Sequence, residues 1–140
     1  MTERLYTTEI LRLAASLDEP QVLEREDGRA ELQSRTCGSQ INLVVQLDEQ
    51  RRVQRISMHV QACAFGQASA ALLARHSTGR SHHEVSDAML ALSRWLADAN
   101  EAPGPWPGMS ALAPARSKRG RHGAILLPFR ALLAAMEAAR

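Results

Sequence analysis

Cysteine and aromatic residues are scarce in this sequence, charge of neither sign dominates, and no long apolar run occurs. The 140 residues include two cysteines, two tryptophans, two phenylalanines and one tyrosine. A chain of this length suits one domain and can bury a core that folds without disulfide or metal. With alanine abundant and aromatics rare, that core should be mostly aliphatic. No segment approaches the roughly 20 apolar residues of a membrane span. The start, Met-Thr-Glu-Arg-Leu-Tyr, lacks the basic-then-apolar form of a signal peptide. The expected location is therefore the cytoplasm, where thiols stay reduced. A Cys37–Cys63 disulfide is allowed by count, but that compartment argues against it. The formal charge of +2 is too small to demand a nucleic-acid partner. Internal repeats, nucleotide-binding loops and paired catalytic motifs are all missing, which leaves a hydrolase or transferase reading without support.

What is present is a change of period. Leu5, Ile10, Leu11, Ala14 and Leu17 recur at helical spacing, so residues 4–17 read as an amphipathic helix, ended by Asp18 to Gln21. Arg29 to Arg35 alternates, with Ala30, Leu32 and Ser34 on one face. Ile41, Leu43, Val45 and Leu47 give a second strand, and Asp48 to Arg52 a turn. Ile56, Met58 and Val60 give a third strand, with Arg55, Ser57 and His59 opposite. Short connections make these an antiparallel meander with one wet face. After Cys63 the spacing becomes helical. Ala68, Ala71, Leu72, Ala74 and Arg75 read as a helix of small residues ending near Gly79. Ser81 and Glu84 form a capping-box pattern before a helix with Val85, Met89, Leu92 and Leu96 on one stripe. A rigid turn-rich connection covers 102–108, a short helix 109–115, and a last apolar segment runs from His122 to Arg140. In that segment Pro128 must lie in the first turn or kink it. Helix, three strands, then helices is an α+β domain with helices packed on one sheet face.

Cys37 and Cys63 are the residues with chemistry. Each sits just past one end of a strand, among small neighbours, in Thr36-Cys37-Gly38-Ser39 and Ala62-Cys63-Ala64-Phe65-Gly66. In a meander the ends of the first and third strands lie at the same end of the sheet. A helix start at Cys63 would favour its thiolate, which is both a nucleophile and a soft metal ligand. Two thiolates brought together make half of a zinc or iron–sulfur site. Against this stands the ordinary reading of cysteine as a small buried residue.

These motifs resemble the U-type iron–sulfur cluster assembly scaffolds, the IscU and SufU proteins and the N-terminal domain of NifU. That family begins with a Tyr-containing helix, here Tyr6 with Ile10 and Leu11. Its Cys-Gly-Asp corresponds to Cys37-Gly38-Ser39. Its Gly-Cys-Ala-Ile-Ser-x-Ala-Ser corresponds to Ala62-Cys63-Ala64-Phe65-Gly66-Gln67-Ala68-Ser69. Two departures stand out. The family's third cysteine falls on Gly123, or on Ala124 if the alignment shifts by one, and its aspartate is replaced by Ser39.

The resemblance implies a scaffold fold over nearly the full chain and a part in iron–sulfur cluster assembly. A cysteine desulfurase would deliver sulfur to a thiolate, iron would join it, and the cluster would pass to an acceptor protein. Cys37 and Cys63 would be the thiolates or sulfur acceptors, His122 a third ligand and Ser39 a weak one, holding a transient cluster or zinc. Such a set leaves positions for an exogenous thiol, a second subunit or a partner. On its own chemistry, His122 beside Arg119 and Arg121 reads as a solvated surface residue. Ser39 reads as a turn-shaping residue. His59 faces the polar side of the third strand, and His76, His82 and His83 flank a turn. The run Arg116 to His122 is a solvated loop or a docking surface for an acidic partner. Trp106 caps the core or offers a hydrophobic contact. The missing aspartate and cysteine also suit a metal-free adaptor. A sulfur relay through one persulfide lies between the two.

Overall fold

The computed structural model describes residues 6–35, 38–98 and 101–139. Helix α1 (Thr8–Ala15) precedes strands β1 (Gly28–Gln33), β2 (Gln40–Leu47) and β3 (Val53–Gln61). Helices α2 (Ala64–His76), α3 (His82–Ala97) and α4 (His122–Ala138) follow, with 3-10 segments Met109–Ala115 and Arg119–Arg121 ahead of α4. The architecture is the α+β one read from the sequence. Helix α1 is shorter than its periodicity suggests, because Thr7 stops it: its Oγ1 accepts the Ile10 N–H at 3.1 Å. Helix α2 ends at His76, and Gly79 makes the following turn with φ +86°. The capping box at Ser81 and Glu84 forms as expected, and Glu84 also meets the Arg52 guanidinium at 2.6 Å.

The sheet is antiparallel in the order β1-β2-β3. Its inner face carries Ala30, Ile41, Leu43, Val45, Leu47 and Met58, all buried. The outer face is less wet than alternation alone predicts. The chain between α1 and β1 returns across it: the Gln21 N–H donates to Ser57 Oγ at 2.7 Å, and Arg25 donates to the Leu47 carbonyl at 2.6 Å. Leu23 is buried, and so are Val44 and Gln46, although both point away from the core.

Helix α4 packs against β1, β2, α2 and α3. That explains why it is apolar nearly all round, with Ile125, Leu127, Phe129, Leu132, Leu133 and Met136 buried. Pro128 does not lie in its first turn but is the seventh residue of the helix. It therefore removes the donor that would have bonded the Ala124 carbonyl. Trp106 closes the core at 3% exposed, donating Nε1–H to the Leu72 carbonyl at 2.9 Å and standing edge-on to Phe129. No helix among the described residues is long and apolar enough to cross a membrane.

The entry to β1 holds a titratable latch. Asp27 accepts from Arg25 at 2.8 Å and from the Leu47 N–H at 2.7 Å. The Arg25 hydrogen bond, then the Leu47 N–H, holds its carboxyl below the usual carboxylate range. A depressed folded-state pKa stabilises the fold above the unfolded value, about 3.9, and that contribution fades as pH falls through the folded value. Asp27→Asn should therefore melt below the parent at neutral pH, with the gap closing below about pH 4. Melting temperatures across that range check this. A gap that stays constant into acid would contradict the role given to Arg25 and the Leu47 N–H.

Candidate functional site

Strand register decides what meets at one end of the sheet. Gln33 pairs with Gln40, and Gln40 with Gln61. The 34–39 connection and the step from β3 into α2 are therefore neighbours. Cys37 belongs to that connection and lies outside the described residues. Its surroundings are closed by backbone bonds: the Ser34 N–H donates to the Ser39 carbonyl at 2.8 Å, and the Gly38 N–H to the Ser34 carbonyl at 3.1 Å. Gly38 holds φ +72°, which a residue without Cβ adopts freely. On the outer face at this end of the sheet, away from the helices, a groove of about 450 Å³ is lined by Glu31, Gln33, Gln40, Asn42, His59 and Gln61 among others.

Cys63 is two residues past Gln61 and is the N-cap of α2. It is half-buried, is a free thiol, and makes no side-chain capping bond, so its sulfur is not committed to the helix. Tyr6 reaches the next turn, its ring 5.1 Å from that of Phe65.

The start of α4 lies alongside the start of α2. A Cβ on Gly66 would stand 2.7 Å from Ala62 Cβ, 3.2 Å from Ala124 Cβ and 3.3 Å from the Ala124 carbonyl oxygen. The absence of a Cβ eases this close approach, and the carbonyl that Pro128 frees is among the atoms Gly66 approaches. One turn on, Ser69 Oγ donates to the Ile125 carbonyl at 2.6 Å. Gly66 and Ser69, three apart, thus fasten α2 to α4. Their i, i+3 spacing is the sequence signal for this helix contact, which periodicity of apolar residues does not reveal. The starts of α2 and α4, neither with a side-chain cap bond, therefore pack together, and Cys63 is the N-cap of the first.

His122, read from its neighbours as a solvated residue, is instead half-buried and engaged. Its Nε2 lies 3.0 Å from the Ala115 carbonyl and 3.1 Å from that of Arg116. Carbonyls only accept, so Nε2 carries a hydrogen and Nδ1 is the nitrogen left to offer a lone pair. A histidine that ligates a metal commonly donates its other N–H to a carbonyl in this way. Ser39 is 2% exposed, and its carbonyl closes the 34–39 turn. The other histidines are elsewhere. His59 is exposed on the outer sheet face, His82 Nε2 stands 3.0 Å from Glu137, and His83 Nε2 stands 3.2 Å from Asp87. Among the described residues, no three His, Cys, Asp or Glu side chains converge as metal ligands would.

Comparison with known proteins agrees with the fold. The NifU-like N-terminal domain family matches residues 5–98. The crystal structure of a nitrogen-fixing NifU-like protein (N-terminal part) from Brucella abortus is 29% identical, with a TM-score of 0.87. The match covers 96% of this chain and 93% of that one. A protein from Fervidobacterium islandicum, described as an iron–sulfur cluster assembly scaffold for the SUF system, shares the fold at 17% identity and a TM-score of 0.81. That match covers 94% of this chain and 96% of the other. No curated protein matches the sequence significantly.

Proposed function

Since the chain belongs to the family of NifU-like N-terminal domains, we propose that it takes part in iron–sulfur cluster assembly, accepting sulfur and iron at Cys37 and Cys63 and passing them on. The observation that carries this reading is the Gln33–Gln40–Gln61 register, which makes the 34–39 connection and Cys63 neighbours at one sheet end. In the sulfur step, a thiolate attacks the terminal sulfur of a desulfurase persulfide. A new S–S bond forms, the old one breaks, and the desulfurase thiolate leaves. A binuclear cluster needs about four terminal ligands, and the chain has two cysteines. Nδ1 of His122 is a further candidate. Remaining positions fall to an exogenous thiol, a second subunit or the partner, which favours brief binding and handover to an acceptor protein. Zinc at the same thiolates is the alternative cargo.

The test is the iron and labile sulfide content, with the visible spectrum, of protein purified without oxygen and then reconstituted with ferrous iron, a cysteine desulfurase, cysteine and a dithiol reductant that supplies the two electrons by which each persulfide sulfur becomes sulfide. Stoichiometric iron and sulfide are expected in the parent, with loss of most of both in Cys63→Ser and in Cys37→Ser. Zinc without a chromophore would indicate a zinc-dependent sulfur acceptor. A second reading, a metal-free adaptor in the same machinery, draws on Gly123 and Ser39, which stand where the resemblance expects a third cysteine and an aspartate. Well-folded protein with neither metal nor sulfide would replace the scaffold reading with that one.

A further inference from the structure

The small net charge conceals a strong segregation. Residues 102–136 contain no aspartate or glutamate but five basic residues, Arg116, Lys118, Arg119, Arg121 and Arg130. This stretch carries +5, while elsewhere twelve basic residues face fifteen acidic ones, leaving −3. Four of the five cations fall within the six positions before His122.

Several of the cations elsewhere are paired. Arg25 pairs with Asp27, Arg29 with Glu26, and Arg52 and Arg80 with Glu84. Arg116 is committed too: its Nε donates to the Trp95 carbonyl at 3.0 Å, and its guanidinium lies 5.1 Å from the Trp95 ring centroid. Lys118, Arg119 and Arg121 make no ion pair or side-chain hydrogen bond with the described residues, and Lys118 and Arg119 are exposed. Their backbone is nevertheless fixed. The Lys118 N–H donates to the Ala115 carbonyl and the Arg121 N–H to that of Lys118, both at 2.9 Å. His122 ties down the Ala115 and Arg116 carbonyls from the other side. Three unneutralised cations thus stand on a rigid turn, so little order remains to be imposed on the backbone when a partner binds.

We infer that residues 118–121 form a docking surface for a partner protein that presents a compact cluster of aspartate and glutamate. Opposite charge steers encounter and fixes orientation, and like-charged partners are rejected. A protein fits better than a nucleic acid. A polyanionic strand is held by many phosphate contacts along a groove and by stacking on exposed aromatics. Here the patch is a few residues long, and Trp95 and Trp106 are buried at 4% and 3% exposed. The surface leads directly into the α4 start that packs on Gly66, so a partner held there sits at the Cys63 end of the molecule.

The test titrates the isotope-labelled full chain with a short synthetic peptide of alternating glutamate and glycine, followed by amide chemical shifts. Shifts confined to residues around 116–123 are expected, weakening from low to physiological ionic strength as screening shortens. Replacing Lys118, Arg119 and Arg121 together by alanine should weaken binding at least about tenfold. Arg119→Lys with Arg121→Lys should keep most of it, and Arg12→Ala, on an exposed face of α1, should change nothing. Binding should persist in Cys63→Ser, which keeps this result separate from the iron and sulfide measurement. The inference is overturned by shifts mapping elsewhere, by salt-independent binding, or by full binding in the triple alanine variant. A single-stranded oligonucleotide that engages the same amides more tightly than the peptide would overturn it equally.

Discussion

Gly28→Ala is expected to cost about 3 kcal/mol of folding stability, the upper end for forcing extra volume into a packed core, and to lower Tm by about 10 °C. A Cβ at this position would fall 1.9 Å from the Ala135 carbonyl oxygen and 2.9 Å from its carbon. Both atoms are backbone, in the helix that covers β1, so no side-chain rotamer relieves the clash. Either α4 lifts or β1 shifts its pairing with Val45. The control is Gly120→Ala, where an added Cβ meets nothing within 4 Å and the change should stay within about 0.5 kcal/mol. Denaturant unfolding of both variants measures the difference. A Gly28→Ala cost no larger than that of Gly120→Ala would mean the α4–β1 approach is looser than described.

Trp106→Ala should cost about 4 kcal/mol. The indole is buried against Phe129, bonds the Leu72 carbonyl, and lies 5.0 Å beneath the Arg80 guanidinium. Truncation opens a cavity and leaves a carbonyl without its donor. Trp106→Phe separates these effects, since it keeps much of the ring but removes the Nε1–H; about 1–2 kcal/mol is expected for it. With total stability of domains typically about 5–15 kcal/mol, either alanine variant removes a large share. A Trp106→Ala cost below about 1 kcal/mol would show that the 102–108 connection does not brace the core.

The strands, their order and the capped start of α3 could be read from the sequence because each follows from a local rule: alternation, a short turn, a Ser-x-x-Glu box. Cys63 as the residue opening α2 was legible for the same reason. Other features depend on contacts far apart in the chain. Asp18 to Asp27 has no period, so nothing local shows that it crosses the sheet and buries Val44 and Gln46. His122 looked like a surface residue because its neighbours are cationic. Its engagement depends on the 115–116 carbonyls, which the 3-10 turn folds back toward it. Pro128 sits mid-helix, seven residues in, a placement that the apolar pattern of the segment does not reveal. Nothing local marks Gly28 either, since the alternation begins at Arg29; its necessity comes from Ala135, which follows it by more than a hundred residues.

The stacking of Arg116 on Trp95 also gives the molecule an optical reporter. The protein has two tryptophans; one lies under the base of the cationic turn, and the other is wedged between Phe129 and Arg80. An event that moves the turn must disturb the guanidinium over Trp95 and so its emission, while Trp106 stays silent unless the core itself loosens. With Trp106→Phe as the background, intrinsic fluorescence would follow displacement of Arg116 in real time, without a label.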